Sequence, residues 1–352
     1  MNKPSDSILQ LIVLMISLLV LTVGLTLVAG VTVFLSMSDY DFSEFIEEEN
    51  IPLTEIPAVV VSKALADPSE MWLPPEWSTV DNEPNADEIK YGKDLLANTA
   101  DYLGPQGKVL QISNGLNCQN CHLDAGRIPL GNNFGGVASM YPKIRNRSGE
   151  MEDIPKRIND CFERSLNGDK LDVNGKEMKA MLAYMTWLGK DVPKGVKPNG
   201  AGLYSVPLLD RAADPVKGKI VYDNQCKSCH MEDGQGMLAM DGRTYVYPPL
   251  WGEHSYNDKA GLYRMSRFAG YVKANMPFGV TYENPILTDE EAWDVAAYVN
   301  SLERPTKNMS GDWPDISKKP MDHPFGPYAD SFSEEEHKYG PYQAIIKAKE
   351  QQ

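Results

Sequence analysis

The chain has 352 residues, enough for two domains of ordinary size with terminal extensions, each able to bury a core. Its formal charge of −15 argues against nucleic-acid binding, which requires a basic surface. An acidic surface reports solubility first, and docking to a basic electron carrier second.

From Ile8 to Leu35 the sequence is an almost unbroken apolar stretch. It exceeds the ~7–15 residues of a signal-peptide core, is long enough to cross a bilayer, and has no convincing small-x-small cleavage site after it. Lys3 before it and the acidic stretch from Asp39 to Glu49 after it favour an inside N-terminus. The expectation is a short cytoplasmic tail (1–7), a retained transmembrane helix (8–36) making a single pass through the cytoplasmic membrane, and a body in the periplasm. Residues 37–85 are acidic and Pro-rich, with Trp72, Pro74, Pro75 and Trp77, and show no sustained period. They read as a spacer whose later half lies against the first domain.

Five cysteines follow, and four fall into two C-x-x-C-H runs, Cys118–Cys121–His122 and Cys226–Cys229–His230. A lone C-x-x-C leaves a redox dithiol, a zinc knuckle or a disulfide open. The added histidine is what c-type haem attachment demands: two thiols add to the vinyl groups, and the adjacent imidazole becomes the proximal iron ligand. Two covalently bound haems c are therefore expected, with His122 and His230 on the irons.

The surroundings of the two motifs repeat. Glu88-Ile-Lys-Tyr-Gly92-Lys-Asp-Leu-Leu96 precedes the first as Pro215-Val-Lys-Gly218-Lys-Ile-Val-Tyr222 precedes the second, and Tyr141-Pro142 follows the first as Tyr247-Pro248 follows the second. Each half closes on an amphipathic helix candidate, Lys176 to Leu188 and Asp289 to Leu302, the latter opened by a Thr288/Glu291 capping box. A Gly-bearing helix before the haem motif and an aromatic-rich helix at the end, crossing closely at the glycine, is the pattern of cytochrome c. The fold class expected is mainly α, with two cytochrome c-type haem domains in tandem: 86–190 (catalytic haem), a Pro- and Gly-rich linker 191–213, and 214–304 (electron-transfer haem). Residues 305–352 read as an irregular C-terminal strap.

The two halves differ in what faces the far side of the iron. In the second, Met276 stands in Ala274-Asn-Met-Pro-Phe278 ahead of the last helix, where small cytochromes c place a thioether ligand suited to electron transfer. A methionine is as often a packing residue, and Met265, Met240 and Met237 are the fallback ligands. The first half has no such Met-Pro, and it has Cys161. From Asp153 to Gly168 the pattern predicts a short helix, with Pro155 near its start and Gly168 just past its end. Arg157, Cys161, Arg164 and Ser165 share one face of it, and Ile154, Ile158, Phe162 and Leu166 a neighbouring one. An unpaired cysteine in an oxidising compartment is a liability unless something protects or uses it; burial as a small hydrophobe is one answer, iron ligation another. Lys143, Arg145 and Arg147 add cations, although Glu150, Glu152 and Asp153 make the segment nearly neutral. Guanidinium groups beside a nucleophilic sulfur suit an oxyanion.

On these residues the chain resembles the dihaem thiosulfate dehydrogenase and tetrathionate reductase family. The resemblance rests on Asn117-Cys-Gln-Asn-Cys-His-Leu-Asp-Ala-Gly126, Asn132-Asn-Phe134, Tyr141-Pro-Lys-Ile-Arg-Asn-Arg147, Ile158-Asn-Asp-Cys-Phe-Glu-Arg-Ser-Leu-Asn-Gly168 and Asp312-Trp-Pro-Asp-Ile-Ser-Lys-Lys-Pro320. It covers roughly residues 70 to 345. It implies coupling of two thiosulfate anions into tetrathionate, or the reverse reduction, with electrons exchanged through the second haem with a c-type cytochrome or a membrane electron-transfer partner. By motif it makes Cys161 the distal ligand and catalytic sulfur, Arg147 and Arg157 anion-binding residues, and Ser165 a neighbour of the sulfur. Some relatives carry lysine directly before the distal methionine; here that position is Asn275, with Lys273 nearby.

Two competing readings are a plain electron-transfer dihaem cytochrome and a haem-thiolate protein that loads sulfur onto a carrier. A peroxidase is disfavoured, because nothing in the spacing of His254, His323 and His337 gathers them as distal acid–base groups.

Overall fold

The computed structural model describes residues 14–26 and 64–351, and the chain divides into two compact units, Met1–Val60 and Val61–Gln352. In the first unit, residues 14–26 are helical with exposed apolar side chains. At 1.5 Å per residue the described helical residues span about 20 Å, against a ~30 Å hydrocarbon core. Among the described residues no helix is long and apolar enough to cross a membrane, so the transmembrane helix expected over 8–36 is not supported. The remainder of that span, the tail 1–7 and residues 37–63 lie outside the described residues.

The second unit is mainly helical. Its principal helices are α1 (Ala86–Ala97), α2 (Ile154–Arg164), α3 (Lys176–Leu188), α4 (Pro215–Gln225), α5 (Met265–Asn275), α6 (Asp289–Ser301), α7 (Glu334–Tyr339) and α8 (Tyr342–Glu350). Two short antiparallel ribbons join them. In one, β1 (Lys143–Ile144) pairs with β2 (Met151–Glu152), Lys143 opposite Glu152; in the other, β3 (Met237–Leu238) pairs with β4 (Tyr245–Tyr247).

The repeat seen in the sequence is a repeat of helix crossings. α1 meets α3 at Gly92, where an added Cβ would lie 2.0 Å from the Ala180 carbonyl oxygen and 2.8 Å from the Tyr184 Cβ. α4 meets α6 at Gly218, where it would lie 1.8 Å from the Asp294 carbonyl oxygen and 2.9 Å from the Tyr298 Cβ. Only glycine lets backbones approach so closely. The capping box holds: Thr288 Oγ1 accepts from the Glu291 amide (3.1 Å), and Glu291 accepts from the Thr288 amide (2.7 Å).

Two apolar cores result. The first joins Leu95 and Leu96 of α1, Ile158 and Phe162 of α2, and Met178, Met181, Tyr184 and Leu188 of α3. Trp77 of the spacer stands edge-on to Trp187, ring centroids 5.5 Å apart, and the Trp72 ring lies under Gly135. The second core joins Tyr222, Met265, Phe268 and Trp293 with Tyr342 and Ile345 of α8. The C-terminal tail is thus not wholly irregular: α7 and α8 form in it, and α8 inserts its apolar face into the second core.

Residues 191–213 carry no helix, yet they are bound to the first half: the Leu130 amide donates to Gly200 O (2.8 Å) and the Asn132 amide to Gly202 O (3.0 Å). Further bonds join the halves directly. Tyr271 Oη donates to Asn120 O inside the first C-x-x-C-H loop (2.7 Å), and Asn257 Nδ2 donates to Glu163 O at the end of α2 (2.9 Å).

Candidate functional site

The site is built on α2. Asp153 caps the helix by accepting from the Lys156 amide (2.8 Å), and Pro155 sits in its first turn, as the sequence required. The helix ends at Arg164, earlier than Gly168 had implied, and Ser165 is its cap residue. Ile158, Phe162 and Leu166 are buried and fasten α2 to the first core. That orientation turns Arg157, Cys161, Arg164 and Ser165 into a cavity of about 390 Å³, whose wall also includes Cys118, Cys121 and His122.

Arg157 Nη1 donates to Cys161 Sγ at 3.0 Å, a sulfur–guanidinium contact along one helix turn. The negative charge the sulfur can carry, ahead of all other influences, pushes the Arg157 guanidinium above its ordinary range. Arg147 lines the same cavity with its guanidinium 5.8 Å from the Trp313 ring centroid, and Trp313 N donates to Arg147 O (2.6 Å). Burial, and then Arg164, lowers Arg147 to about 10. Of the acids in this segment, Glu152 serves Arg145 and Asp153 the helix cap, and neither pairs with Arg147 or Arg157. Glu152 is buried against Arg145 (3.8 Å), Lys156 (3.4 Å) and Ser148 (2.7 Å), and Asp153 is spent on the helix cap. Ser165 contributes its amide to Cys161 O (2.8 Å), one turn along from the sulfur.

Both proximal histidines are held in one way. His122 Nδ1 lies 2.5 Å from Asn132 O, and His230 Nδ1 lies 2.8 Å from Pro248 O. A carbonyl only accepts, so each neutral ring carries its proton on Nδ1 and keeps an Nε2 lone pair, which is what an axial iron ligand needs. Burial holds His122 neutral down to about 4, and Phe134 stacks on its ring at 4.4 Å. The two halves differ at this point of the repeat: Pro248 O faces His230, whereas Asn132 O faces His122 and Tyr141 lines the first cavity. No disulfide joins any of the five cysteines, and among the described residues no group of three or more His, Cys, Asp or Glu side chains converges as a metal cage would require. Paired cysteines followed by an imidazole with an available nitrogen fit a covalently attached haem at each motif.

Around the second motif, Cys226 and Met276 both pack against the second core. Of the fallback ligands, Met265 is buried inside that core and Met240 is fully exposed. Lys273 is buried with its ammonium given to Leu287 O (2.6 Å) and Asp289 (2.9 Å), and Asn275 bonds Leu130 O (3.1 Å) in the first half.

The structure therefore gathers Cys118, Cys121, His122, Arg147, Arg157, Cys161 and Ser165 at one cavity, and leaves Cys226, Cys229, His230 and Met276 in the other domain. Sequence reasoning missed Lys197 from the linker, Arg264 just before α5 and Arg267 within it, which line the first cavity too. No local signal marks them, because they arrive from the other side of the domain boundary. Asn132 lay within a motif but carried no stated role.

Residues 109–193 match the family model described as SoxA/TsdA, cytochrome c domain, and residues 215–303 match the Cytochrome c model. Proteins named thiosulfate dehydrogenase are similar over much of the chain. The one from Psychrobacter arcticus is 42% identical over 58% of this chain and 61% of its own length. That from Allochromatium vinosum is 40% identical over 61% of this chain and 76% of its own. The solved thiosulfate dehydrogenase TsdBA of Marichromatium purpuratum, in its as-isolated form, superposes with a TM-score of 0.62 at 30% identity, covering 71% of this chain and 52% of that one. The chain thus spans less than two thirds of the length of some of these relatives.

Proposed function

The chain belongs to the thiosulfate dehydrogenase family, and on that premise we propose that it oxidises two thiosulfate anions to tetrathionate, with the reverse reduction open to the same residues. The observation that carries this reading is Cys161, in one cavity with His122 and with a guanidinium 3.0 Å from its sulfur. His122 and Cys161, in one cavity, would hold the first haem, and the haems would supply the acceptor for the two electrons.

Arg147 and Arg157 hold the sulfonate of a first thiosulfate beside the sulfur, offsetting the repulsion that two dianions meet in one pocket. Cys161 thiolate and the sulfane sulfur then form a sulfur–sulfur bond with loss of two electrons, leaving an S-sulfonated persulfide on Cys161. The sulfane sulfur of a second thiosulfate attacks the outer sulfur of that adduct; the new bond is the central bond of tetrathionate, and the Cys161 thiolate is the leaving group. Arg157, donating to that sulfur, stabilises the departing charge. Electrons leave through the second domain, where His230 and Met276 would hold the second haem, to a c-type cytochrome or a membrane electron-transfer partner; the body is periplasmic.

The test mixes haem-loaded protein with thiosulfate and follows the haem spectrum. Reduction by thiosulfate alone, lost in Cys161→Ala at unchanged haem content, is expected. Absence of reduction in the parent points to the plain electron carrier, and sulfur retained on Cys161 with no tetrathionate formed points to the sulfur transferase.

A further inference from the structure

Tetrathionate carries a sulfonate at each end, and the proposed reaction brings two dianions together, yet Arg147 and Arg157 provide for one anion beside Cys161. Most other guanidinium groups on the cavity wall are already neutralised. Arg145 faces Glu152 (3.8 Å), Arg164 faces Asp160 (3.0 Å) and Asp312 (2.7 Å), and Arg264 faces Asp322 (2.5 Å).

Arg267 differs. It lines the cavity from α5, in the domain of the second haem, and among the described residues no carboxylate lies within ion-pair distance of it. The nearest candidate, Asp322, has no capacity left. Its Oδ1 accepts from Arg264 Nε (2.8 Å) and Nη2 (2.5 Å), and its Oδ2 accepts from the Ser266 amide (2.9 Å) and hydroxyl (2.5 Å). A carboxylate offers about four lone-pair sites, and these four bonds fill them. Arg267 is exposed, yet burial by the surrounding protein, then Arg264 and, after the opposing charge of Asp322, Arg145 leave its guanidinium below the ordinary range. A charged fork in that position gains from any anion that enters.

We propose that Arg267 is a second anion subsite of the first cavity, binding the sulfonate of the attacking thiosulfate or the far sulfonate of tetrathionate. The fork geometry of a guanidinium suits two oxygens of one sulfonate. One catalytic cavity is then completed by the neighbouring domain, with the buried Asp322 acting as the positioning group that clamps Arg264 and Ser266 and leaves Arg267 free. This rests on the thiosulfate and tetrathionate reading of the cavity.

The test is equilibrium binding to haem-loaded Cys161→Ser protein, which cannot turn over, with thiosulfate and tetrathionate measured separately by calorimetry. Adding Arg267→Gln is expected to weaken tetrathionate binding ten-fold or more while changing thiosulfate binding less than two-fold, and Arg267→Lys to recover part of the loss. Unchanged tetrathionate binding, or equal weakening of both anions, overturns the subsite and leaves the functional reading standing. A Cys161→Ser parent that binds neither anion overturns that reading, and the subsite with it. The haem spectrum and melting temperature of each variant identify misfolding, in which case Arg267→Lys carries the comparison.

Discussion

Arg157→Gln tests the chemistry most directly. The guanidinium is the donor to Cys161 Sγ at 3.0 Å, and among the described residues no carboxylate lies within ion-pair distance of it. Its charge is therefore free to serve the sulfur and an incoming anion. A hydrogen bond to a charged group is worth about 1.5–3 kcal/mol, and each ~1.4 kcal/mol is a factor of ten. Loss of that bond in the step where Cys161 departs as thiolate should lower kcat/KM for thiosulfate about 10- to 150-fold. The assay is thiosulfate-driven reduction of a soluble electron acceptor, normalised to covalently bound haem, because Cys118, Cys121 and His122 are untouched. Arg157→Lys restores charge without the fork and should fall between. Turnover of Arg157→Gln within two-fold of the parent, at equal haem content, would falsify the role given to this residue.

Other expectations concern what holds the site together. Asp322→Asn should destabilise the protein at neutral pH by about 2–3 kcal/mol, since it removes the buried carboxylate that half-buried Arg264 and Ser266 both bond, and lower the melting temperature by roughly 5–10 °C. Burial alone would raise the Asp322 carboxyl, but Arg264 and Ser266 more than offset it and hold it below the ordinary range. Its contribution is therefore complete above the unfolded value of about 4 and fades as pH falls through the lowered one; melting curves of parent and variant should converge at acid pH. For His323, burial keeps the imidazole neutral down to about 3. The unfolded chain then takes up the proton first, and stability falls below about pH 6.5 by up to ~1.4 kcal/mol per pH unit. Denaturant titrations of His323→Gln should show a shallower slope between pH 6.5 and 4. Gly218→Ala drives a Cβ against the Asp294 carbonyl oxygen at 1.8 Å. Backbone cannot yield cheaply, so a loss of at least about 1–3 kcal/mol is expected in chemical denaturation, and an unchanged midpoint would contradict the crossing.

Much of the site was legible in the sequence because the rules that build it are local. The spacing of Cys118, Cys121 and His122 is a property of five residues. The sidedness of α2 follows from 3.6 residues per turn, and the opening of α6 from two residues three apart. Gly92 and Gly218 stood at matching places in a repeat, and both turned out to be where backbones touch. The errors came where local rules run out. Tyr141-Pro142 and Tyr247-Pro248 look alike, yet Pro248 O meets His230 whereas Asn132 O, not Pro142 O, meets His122, because the carbonyl that orients a histidine is chosen by the path of the loop. The tail read as irregular, yet α8 gains enough from the second core to form.

By itself the sequence singled out the side chains that the fold brings to the first cavity: the haem-attachment motif, Cys161, Arg157 one turn before it, and Arg147. Only the tertiary structure decided which of the cations remain unneutralised. Charge in a cavity is a sum over every element that reaches it, and Arg267, Arg264 and Asp322 come from a helix and a tail far along the chain. Periodicity and spacing describe neighbours within an element. Whether Arg267 faces an anion or a carboxylate depends on Asp322 having already given all its lone pairs away.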